Sequence, residues 1–284
     1  MHCFLSPYRH GQYNSTKGNF HVNIRRLTKI LALPAAIGIT LTTATSAQAH
    51  YVYFVDQAWS NADSSFCLWN YAETSHGSTG GGYFKGEARS QADIDLNPLD
   101  CVINYERNVG DLADYIIVYK WYVDSQGAGS WIVCSTTDGW IFNQKQASTL
   151  RVEWTAPAGG LCGPGYYGIH NGVAMRESGV WVGREGYVWS GQHSLPDNSF
   201  AAASGGKAPG APAWLTDKGL GKIPTKLPQA GSDGKPLMDR NGKQVMVDPT
   251  PPEPNEKNAA TEGERSTTVD KYGNVTETVS IGGV

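Results

Sequence analysis

The sequence predicts an all-β fold: an antiparallel β-sandwich or barrel with two disulfides, followed by a disordered C-terminal tail. Short runs rich in β-branched and aromatic residues alternate between apolar and polar positions, as half-buried strands do. No segment shows the sustained i, i+3, i+4 spacing of an amphipathic helix. Turn-forming residues recur at intervals of roughly 8 to 12 residues, which is typical of sandwiches and barrels.

Four runs are the clearest predicted strands: residues 115–123 (YIIVYKWYV), 130–134 (SWIVC), 150–154 (LRVEW) and 180–189 (VWVGREGYVW). The turn sequences D-S-Q-G-A-G, T-T-D-G and A-P-A-G-G follow the first three. Because Gly, Asp, Ser and Pro favour tight turns, we expect each of these runs to end there.

Residues 1–49 read as an N-terminal extension that ends in a secretory signal peptide. Basic residues precede an apolar run at 30–41, and A-Q-A supplies the small residues of a cleavage site ending at Ala49. The apolar run is 12 residues long, whereas a membrane-spanning helix needs roughly 20. We therefore expect a secreted, extracellular mature chain that begins at His50 and has no membrane span.

The predicted mature chain is acidic. The leader contains five of the 23 basic residues and none of the 26 acidic ones, which leaves 18 against 26 and a net charge of −8. Such a chain repels phosphate backbones, so nucleic acid is not expected as a partner.

Four cysteines remain after the leader is removed: Cys67, Cys101, Cys134 and Cys162. In a secreted domain they usually form two disulfides, with three possible pairings. We expect Cys67 to pair with Cys101 and Cys134 with Cys162, because each bridge closes a loop of about 30 residues and stabilises by a few kcal/mol. Zinc is the weaker alternative, since no two cysteines show C-x2-C spacing.

Composition divides the mature chain near Ser199 into a globular β domain, residues 50–199, and a low-complexity tail, residues 200–284. The first part holds eight of the nine tryptophans and all four cysteines, enough for one core. The tail holds nine of the 15 prolines and one tryptophan, Trp214. With so little apolar surface to offset its ordering entropy, we expect the tail to be largely disordered on its own.

The tail has an internal pattern nevertheless. DGKPLMDR (233–240) is followed at a spacing of eight by NGKQVMVD (241–248), and Asp-Gly and Asn-Gly favour tight hairpin turns. The terminal segment alternates as a strand does, with Val275, Val279 and Ile281 among its apolar residues. A strand-like peptide on a tether suits β-augmentation, in which it adds to the sheet edge of a partner protein.

Residues 162–196, CGPGYYGIHNGVAMRESGVWVGREGYVWSGQHSLP, combine a C-G-x-G-Y-Y element, a glycine-punctuated hairpin and a closing V-W-S-G-x-H-x-L-P. In these features the chain resembles small secreted disulfide-bonded β proteins of actinobacteria, over residues 134–196 and not in the tail. The resemblance implies export and a β fold. It implies no reaction, because that family has no assigned activity.

Eight tryptophans are more than a sandwich of this size requires for packing. Exposed Trp and Tyr faces stack on sugar rings or anchor protein interfaces. Trp140, next to the turn sequence T-D-G, is the best candidate for an exposed anchor, and Trp59, Tyr166 and Tyr167 are further candidates. A carbohydrate- or cell-envelope-binding module is therefore the first alternative function.

A copper-binding enzyme is the second alternative. Cleavage after Ala49 gives His50 a free amine and an imidazole, and a second imidazole such as that of His170 would complete a nitrogen set that copper(II) favours. Secreted lytic polysaccharide monooxygenases begin at such a histidine, but their second-histidine context is not found around His170.

Motifs of nucleophilic and zinc catalysis, G-x-S-x-G and H-E-x-x-H, do not occur in the sequence. We therefore predict a secreted, non-catalytic binding protein or adaptor without a cofactor. Its rigid β domain would present aromatic and loop residues, and its flexible tail would dock to a secreted protein partner or assembly.

Overall fold

Strands dominate the part of the chain that the computed structural model describes, which is residues 59–60, 66–76, 81–93, 101–158, 160–183, 187–195, 209–214, 223–260 and 263–282. In chain order the strands are β1 (Trp59–Ser60), β2 (Phe66–His76), β3 (Gly81–Asp93), β4 (Cys101–Asn104), β5 (Leu112–Val123), β6 (Gly129–Thr136), β7 (Ile141–Phe142), β8 (Thr149–Ala158), β9 (Gly165–Glu177), β10 (Val180–Val182), β11 (Tyr187–Trp189), β12 (His193–Leu195), β13 (Leu227–Pro228), β14 (Met246–Val247), β15 (Glu264–Val269) and β16 (Val275–Ile281). One 3₁₀ turn, Glu256–Asn258, precedes β15.

The strands form two seven-stranded sheets and a short ribbon of β13 and β14. The first sheet has the order β1-β2-β3-β8-β16-β15, with β4 also paired to β3. The second sheet has the order β10-β9-β5-β6, with β11 and β12 paired to β9 and β7 paired to β5. Neighbouring strands run antiparallel except β16, which runs parallel to β8.

The two sheets pack face to face and enclose the main core. Ile116 and Val118 of β5 share one buried cluster with Phe84 of β3, Val152 of β8 and Val279 of β16. Alternate residues of each strand enter this cluster, as the two-residue period of a strand requires. The all-β prediction is confirmed, and the architecture is a sandwich.

One predicted disulfide is present in the described residues. Cys134 of β6 bonds Cys162 in the loop before β9, with a Cα–Cα distance of 5.9 Å. Cys67 is also disulfide-bonded, but the side chain of its predicted partner, Cys101, lies outside the described residues. The pairing of Cys67 with Cys101 therefore stays a prediction.

The predicted strands are found where the alternation is strongest. The first three runs correspond to β5, β6 and β8, each longer than predicted, and the fourth run divides into β10 and β11, which both pair with β9. The leader, the cleavage site and His50 lie outside the described residues.

The prediction of a largely disordered tail is wrong for the described residues. Residues 223–260 and 263–282 contain β13 to β16 and belong to the same compact unit as the sandwich, Gln48–Val284. The two predicted tight turns are confirmed, with φ of 75° at Gly234 and 73° at Gly242. The tail is ordered because it shares apolar surface with the sandwich. We call residues 209–214, 223–260 and 263–282 the C-terminal arm.

Candidate functional site

The outer face of the second sheet is aromatic. The buried aromatic residues of its cluster are Tyr115, Tyr119, Trp131, Trp140, Tyr166 and Trp189. Their rings meet at steep angles: Trp131 and Trp189 have centroids 5.1 Å apart at 75°, a geometry that contributes about 0.5–1.5 kcal/mol beyond area burial. The large number of tryptophans is explained by this second core on the outside of the sandwich.

The C-terminal arm covers that face. Ile223 and Leu227 of the arm belong to the same buried cluster as the sheet aromatics. The indole N–H of Trp131 donates to the carbonyl of Gly210 at 3.1 Å, and the ring of Trp214 lies 6.1 Å from that of Tyr119.

Trp140 is the point at which the proline-rich part of the arm attaches. Its indole N–H donates to the carbonyl of Pro252 at 2.7 Å, and its backbone N–H donates to the carbonyl of Asn258 at 2.7 Å. Ala260 N–H donates back to the carbonyl of Trp140 at 2.8 Å. The prediction of an exposed anchor is wrong, since Trp140 is 1% exposed; its ring is covered by the chain's own polyproline-like segment.

The eight-residue repeat of the tail closes into a ring of main-chain hydrogen bonds. Leu237 N–H donates to Gln229 O at 2.7 Å, Val245 N–H to Leu237 O at 2.8 Å, and Gln229 N–H to Val245 O at 3.0 Å. The next residue, Ala230, donates to Val133 O of β6 at 2.7 Å. The arm therefore covers part of the edge of the second sheet as well as its face.

Lys120 joins the disulfide loop to the arm. Its ammonium donates to the carbonyl of Cys162 at 2.7 Å, and it packs so closely on Gly234 of the arm that an added Cβ there would overlap Nζ. Burial lowers the pKa of Lys120, while the charge of Asp233 in the arm acts in the opposite direction.

The last part of the arm completes the first sheet. β16 lies between β8 and β15, with Val279 opposite Val152 of β8. The buried carboxylate of Glu277 accepts from the N–H groups of Gln144 at 2.8 Å and Lys145 at 2.9 Å. It also pairs with Arg265 of β15 at 2.6 Å. Main chain, ion pair and core contact thus all hold the terminal hairpin in place.

β15 is the outermost strand of the first sheet. In the part of the chain that the structure describes, it pairs with β16 along one edge, over six residues without a register shift. Most of its side chains are exposed, with Val269 62% and Tyr272, in the following turn, 77% exposed. An unpaired row of N–H and C=O groups is the feature that another strand recognises.

A polar cluster interrupts the core between the sheets. Asn171 Nδ2 donates to Asn70 Oδ1 at 3.0 Å and to Asp114 Oδ2 at 3.1 Å. Asp114 Oδ1 and Asn171 Oδ1 find no hydrogen-bond partner among the described residues, and an added Cβ at Gly86 would collide with both. Burial raises the pKa of Asp114 well above its ordinary value.

His170 is wholly buried in the aromatic cluster. Its Nδ1 lies 3.2 Å from the hydroxyl of Tyr119, its Nε2 has no hydrogen-bond partner in the described part of the chain, and its ring is 5.1 Å from that of Trp189. Burial lowers the pKa of His170 to about 3, so the ring is neutral. Among the described residues no three His, Cys, Asp or Glu side chains form a group that could hold a metal ion; His50 lies outside them, and the copper hypothesis stays a prediction.

The remaining predicted binding residues fall into two groups. Tyr166 and Tyr167 are buried, so their prediction as surface contacts is wrong; the Tyr167 hydroxyl bonds the disulfide loop at Cys162 N. The backbone of Trp59 lies in β1, and its side chain lies outside the described residues.

The predicted terminal strand is confirmed, because Val275, Val279 and Ile281 all lie in β16. The prediction that this strand adds to the sheet edge of a partner protein is wrong. Both edges of β16 are occupied within the chain, by β8 and β15, so this strand is not available to a partner's sheet. Among the described residues, β15 has one edge without a paired strand.

Sequence reasoning missed Glu277, which attaches the arm, and Asp114, which lies in the polar cluster of the core. Glu277 reads as one polar residue of an alternating strand, and Asp114 as one polar residue in an apolar run. Neither has a local signal, because their partners lie 133 and 57 residues away along the chain.

A scan against protein-family models found no match to this chain, and searches of curated proteins and of solved structures found none either. The resemblance to actinobacterial secreted proteins therefore stays a prediction. No helix in the described segments is long and apolar enough to cross a membrane.

Proposed function

We propose that the protein is a secreted, non-catalytic binding protein that docks to a protein partner through the open edge of β15. The observation that carries this proposal is the edge itself: six consecutive residues paired along one side only within the described chain. A strand of a partner placed there would gain main-chain hydrogen bonds without disturbing the sandwich.

The other sheet edges are less suited to docking. β1 has two residues and β10 has three, and the edge of β6 meets the arm where Ala230 bonds Val133. Natural sheets usually blunt a long edge with proline, lysine or a bulge. β15, with the sequence ERSTTV, has no proline, lysine or bulge, and its two charged residues stand together at its start, which leaves residues 266–269 uncharged for pairing.

The rest of the arm supports the proposal by making β15 rigid. Glu277 and Arg265 tie the hairpin to the loop after β7, so little ordering entropy remains to be lost on binding. The disulfide Cys134–Cys162 is compatible with an oxidising compartment. We therefore propose that the rigid edge of β15, and not a flexible tail, carries the adaptor role.

The test is capture from native culture supernatant by the full-length mature chain. The wild type is compared with the double variant Ser266→Lys/Thr268→Lys, which places two charges on the edge, and with the control Ser125→Lys at an exposed turn. We expect a defined protein to be retained by the wild type and the control and lost with the edge variant, and the amides of 264–269 to exchange more slowly in the complex. Retention that is indifferent to the edge variant would contradict the proposal.

A further inference from the structure

The outer face of the first sheet differs in its chemistry from the aromatic face that the arm covers. In β2, β3 and β8 the odd-numbered residues point away from the core, because the even-numbered ones include Leu68, Phe84 and Val152 of the core cluster. The described outward residues of these three strands include no Val, Leu, Ile or Met. This face is therefore built mainly of aromatic and polar side chains.

The charged side chains of this face are paired and balanced. Three carboxylates and three cations form ion pairs there: Glu73 with Lys85 at 2.8 Å, Glu87 with Arg89 at 2.5 Å and with Arg151 at 2.9 Å, and Glu153 with Arg151 at 4.0 Å. The net charge of the six is zero. A surface without net charge favours an uncharged ligand over a polyanion or a polycation.

An aromatic residue stands at each end of these ion pairs. Trp69 of β2 lies opposite Arg89, and Tyr83 of β3 lies opposite Ser75 of β2; both aromatic residues are half-buried. Ser75 follows Trp69 by six residues, so roughly 20 Å separates the two positions along the strands. We call Trp69, Tyr83 and the six paired charges the polar strip.

Tyr71 fixes the middle of the polar strip. Its hydroxyl donates to Glu73 Oε2 at 2.7 Å, and Ser75 Oγ donates to Glu73 Oε1 at 3.2 Å. The ammonium of Lys85 lies 4.5 Å from the centre of the Tyr71 ring. Because these groups already hold one another in place, little side-chain entropy remains to be lost when a ligand binds.

From this layout we propose that the polar strip binds a linear, uncharged polysaccharide. The rings of Trp69 and Tyr83 stack on sugar rings, while the carboxylates accept from sugar hydroxyls and the lysine and arginines donate to them. The length of the strip suits several sugar units. A protein partner is disfavoured at this face, because the cores of protein interfaces are apolar and depleted in charged residues.

The polar strip is separate from the docking edge, since β16 lies between β8 and β15. The inference therefore goes beyond the proposed function and does not depend on it. A chain with both surfaces can hold a polysaccharide on one and a partner protein on the other.

The test measures depletion of the full-length mature chain from solution by insoluble cellulose, chitin and mannan, with polygalacturonate as the charged comparison. We expect retention on at least one of the three uncharged polysaccharides, and equal retention at low and high salt. Trp69→Ala and Tyr83→Ala are each expected to weaken binding about tenfold. The control Tyr272→Ala, which removes a 77% exposed ring in the β15–β16 turn, should bind as the wild type does.

Hydroxyl-radical footprinting of the wild type gives a readout that is independent of how the variants fold. A hexasaccharide of the retained polysaccharide is expected to reduce oxidation of Trp69 and Tyr83 and to leave that of Tyr272 unchanged. Absence of retention on all three uncharged polysaccharides, retention that falls steeply with salt, or unchanged oxidation of both rings would overturn the proposal. Ser266→Lys/Thr268→Lys should be retained like the wild type, so failure of the docking edge and failure of the polar strip are distinguishable.

Discussion

At the scale of single residues, burial raises the pKa of Asp114, which lies in the polar cluster of the core. Asp114 and Asn171 each retain one oxygen without a donor among the described residues, and the two oxygens converge beside Gly86. An ionised Asp114 would be a buried charge beside another acceptor, which is costly, whereas the neutral acid removes that charge and carries a proton that it can donate.

Asp114→Asn is expected to stabilise the protein at neutral pH. The folded-state pKa of Asp114 is raised, whereas in the unfolded chain the group ionises near pH 4, so the unfolded state gains stability as the pH rises from about 4 to the folded pKa. Asparagine supplies the N–H without ionising. The free energy of unfolding of Asp114→Asn should exceed that of the wild type by an amount that grows over that pH range and vanishes below about pH 4.

Urea unfolding between pH 3.5 and 7.5 measures this difference, with Glu106→Gln as the control at an exposed carboxyl. A stability difference independent of pH would show that Asp114 is not held neutral in the folded state.

Trp140→Phe is expected to loosen the proline-rich segment of the arm. The carbonyl of Pro252 loses its donor at 2.7 Å, and this lost hydrogen bond alone costs about 1–2 kcal/mol. The smaller ring also leaves space at a wholly buried position, which adds to the cost. Thermal unfolding measures the loss, and Trp181→Phe, in a half-buried residue on the same face, should cost less. Equal effects would mean that the Pro252 contact contributes nothing measurable.

At the scale of elements, the arm is held by close approaches as well as by hydrogen bonds. Gly234 and Gly242 occupy equivalent turns one repeat apart, with φ of 75° and 73°. Gly234 lies against Lys120 and the carbonyl of Cys162, whereas no atom of the described residues lies within 4 Å of an added Cβ at Gly242. The two glycines therefore separate the cost of the turn conformation from the cost of docking.

Gly234→Ala is expected to destabilise the protein more than Gly242→Ala. Both variants carry the left-handed backbone cost of about 1–2 kcal/mol, but only the first places a methyl group in collision with Lys120 Nζ. Limited proteolysis should cut the arm faster in Gly234→Ala. Identical behaviour of the two variants would contradict the docking of this turn on Lys120.

At the scale of the whole molecule, the sequence predicts the strands whose alternation is carried by large residues. It does not predict β3, whose inward residues include Gly86, Ala88 and Ser90, because small residues give no periodic apolar signal. The sequence does not predict β9 for a related reason. Gly168 and Gly172 lie opposite Tyr119 and Tyr115, so the apolar surface at these positions comes from the tyrosine rings of β5 and not from β9 itself.

The order of the arm is equally invisible to local reasoning. Composition reports that residues 200–284 have little apolar surface of their own, and that is correct. Composition does not reveal that the arm packs on the aromatic face of the second sheet, which supplies the apolar surface that the arm itself lacks. The position of β15 at the edge of the sheet cannot be predicted from local sequence either, because it depends on the pairing of β16 with β8.

Amide hydrogen exchange of the full-length mature chain tests the central claim most directly, because the docking edge exists only if the arm is folded on the sandwich. We expect the amides of β16 to be protected as strongly as those of β5, and residues 227–247 to be protected well above an unstructured peptide. Exchange of residues 223–282 at the rate of a disordered chain, with β5 still protected, would contradict the folded arm and the edge that depends on it.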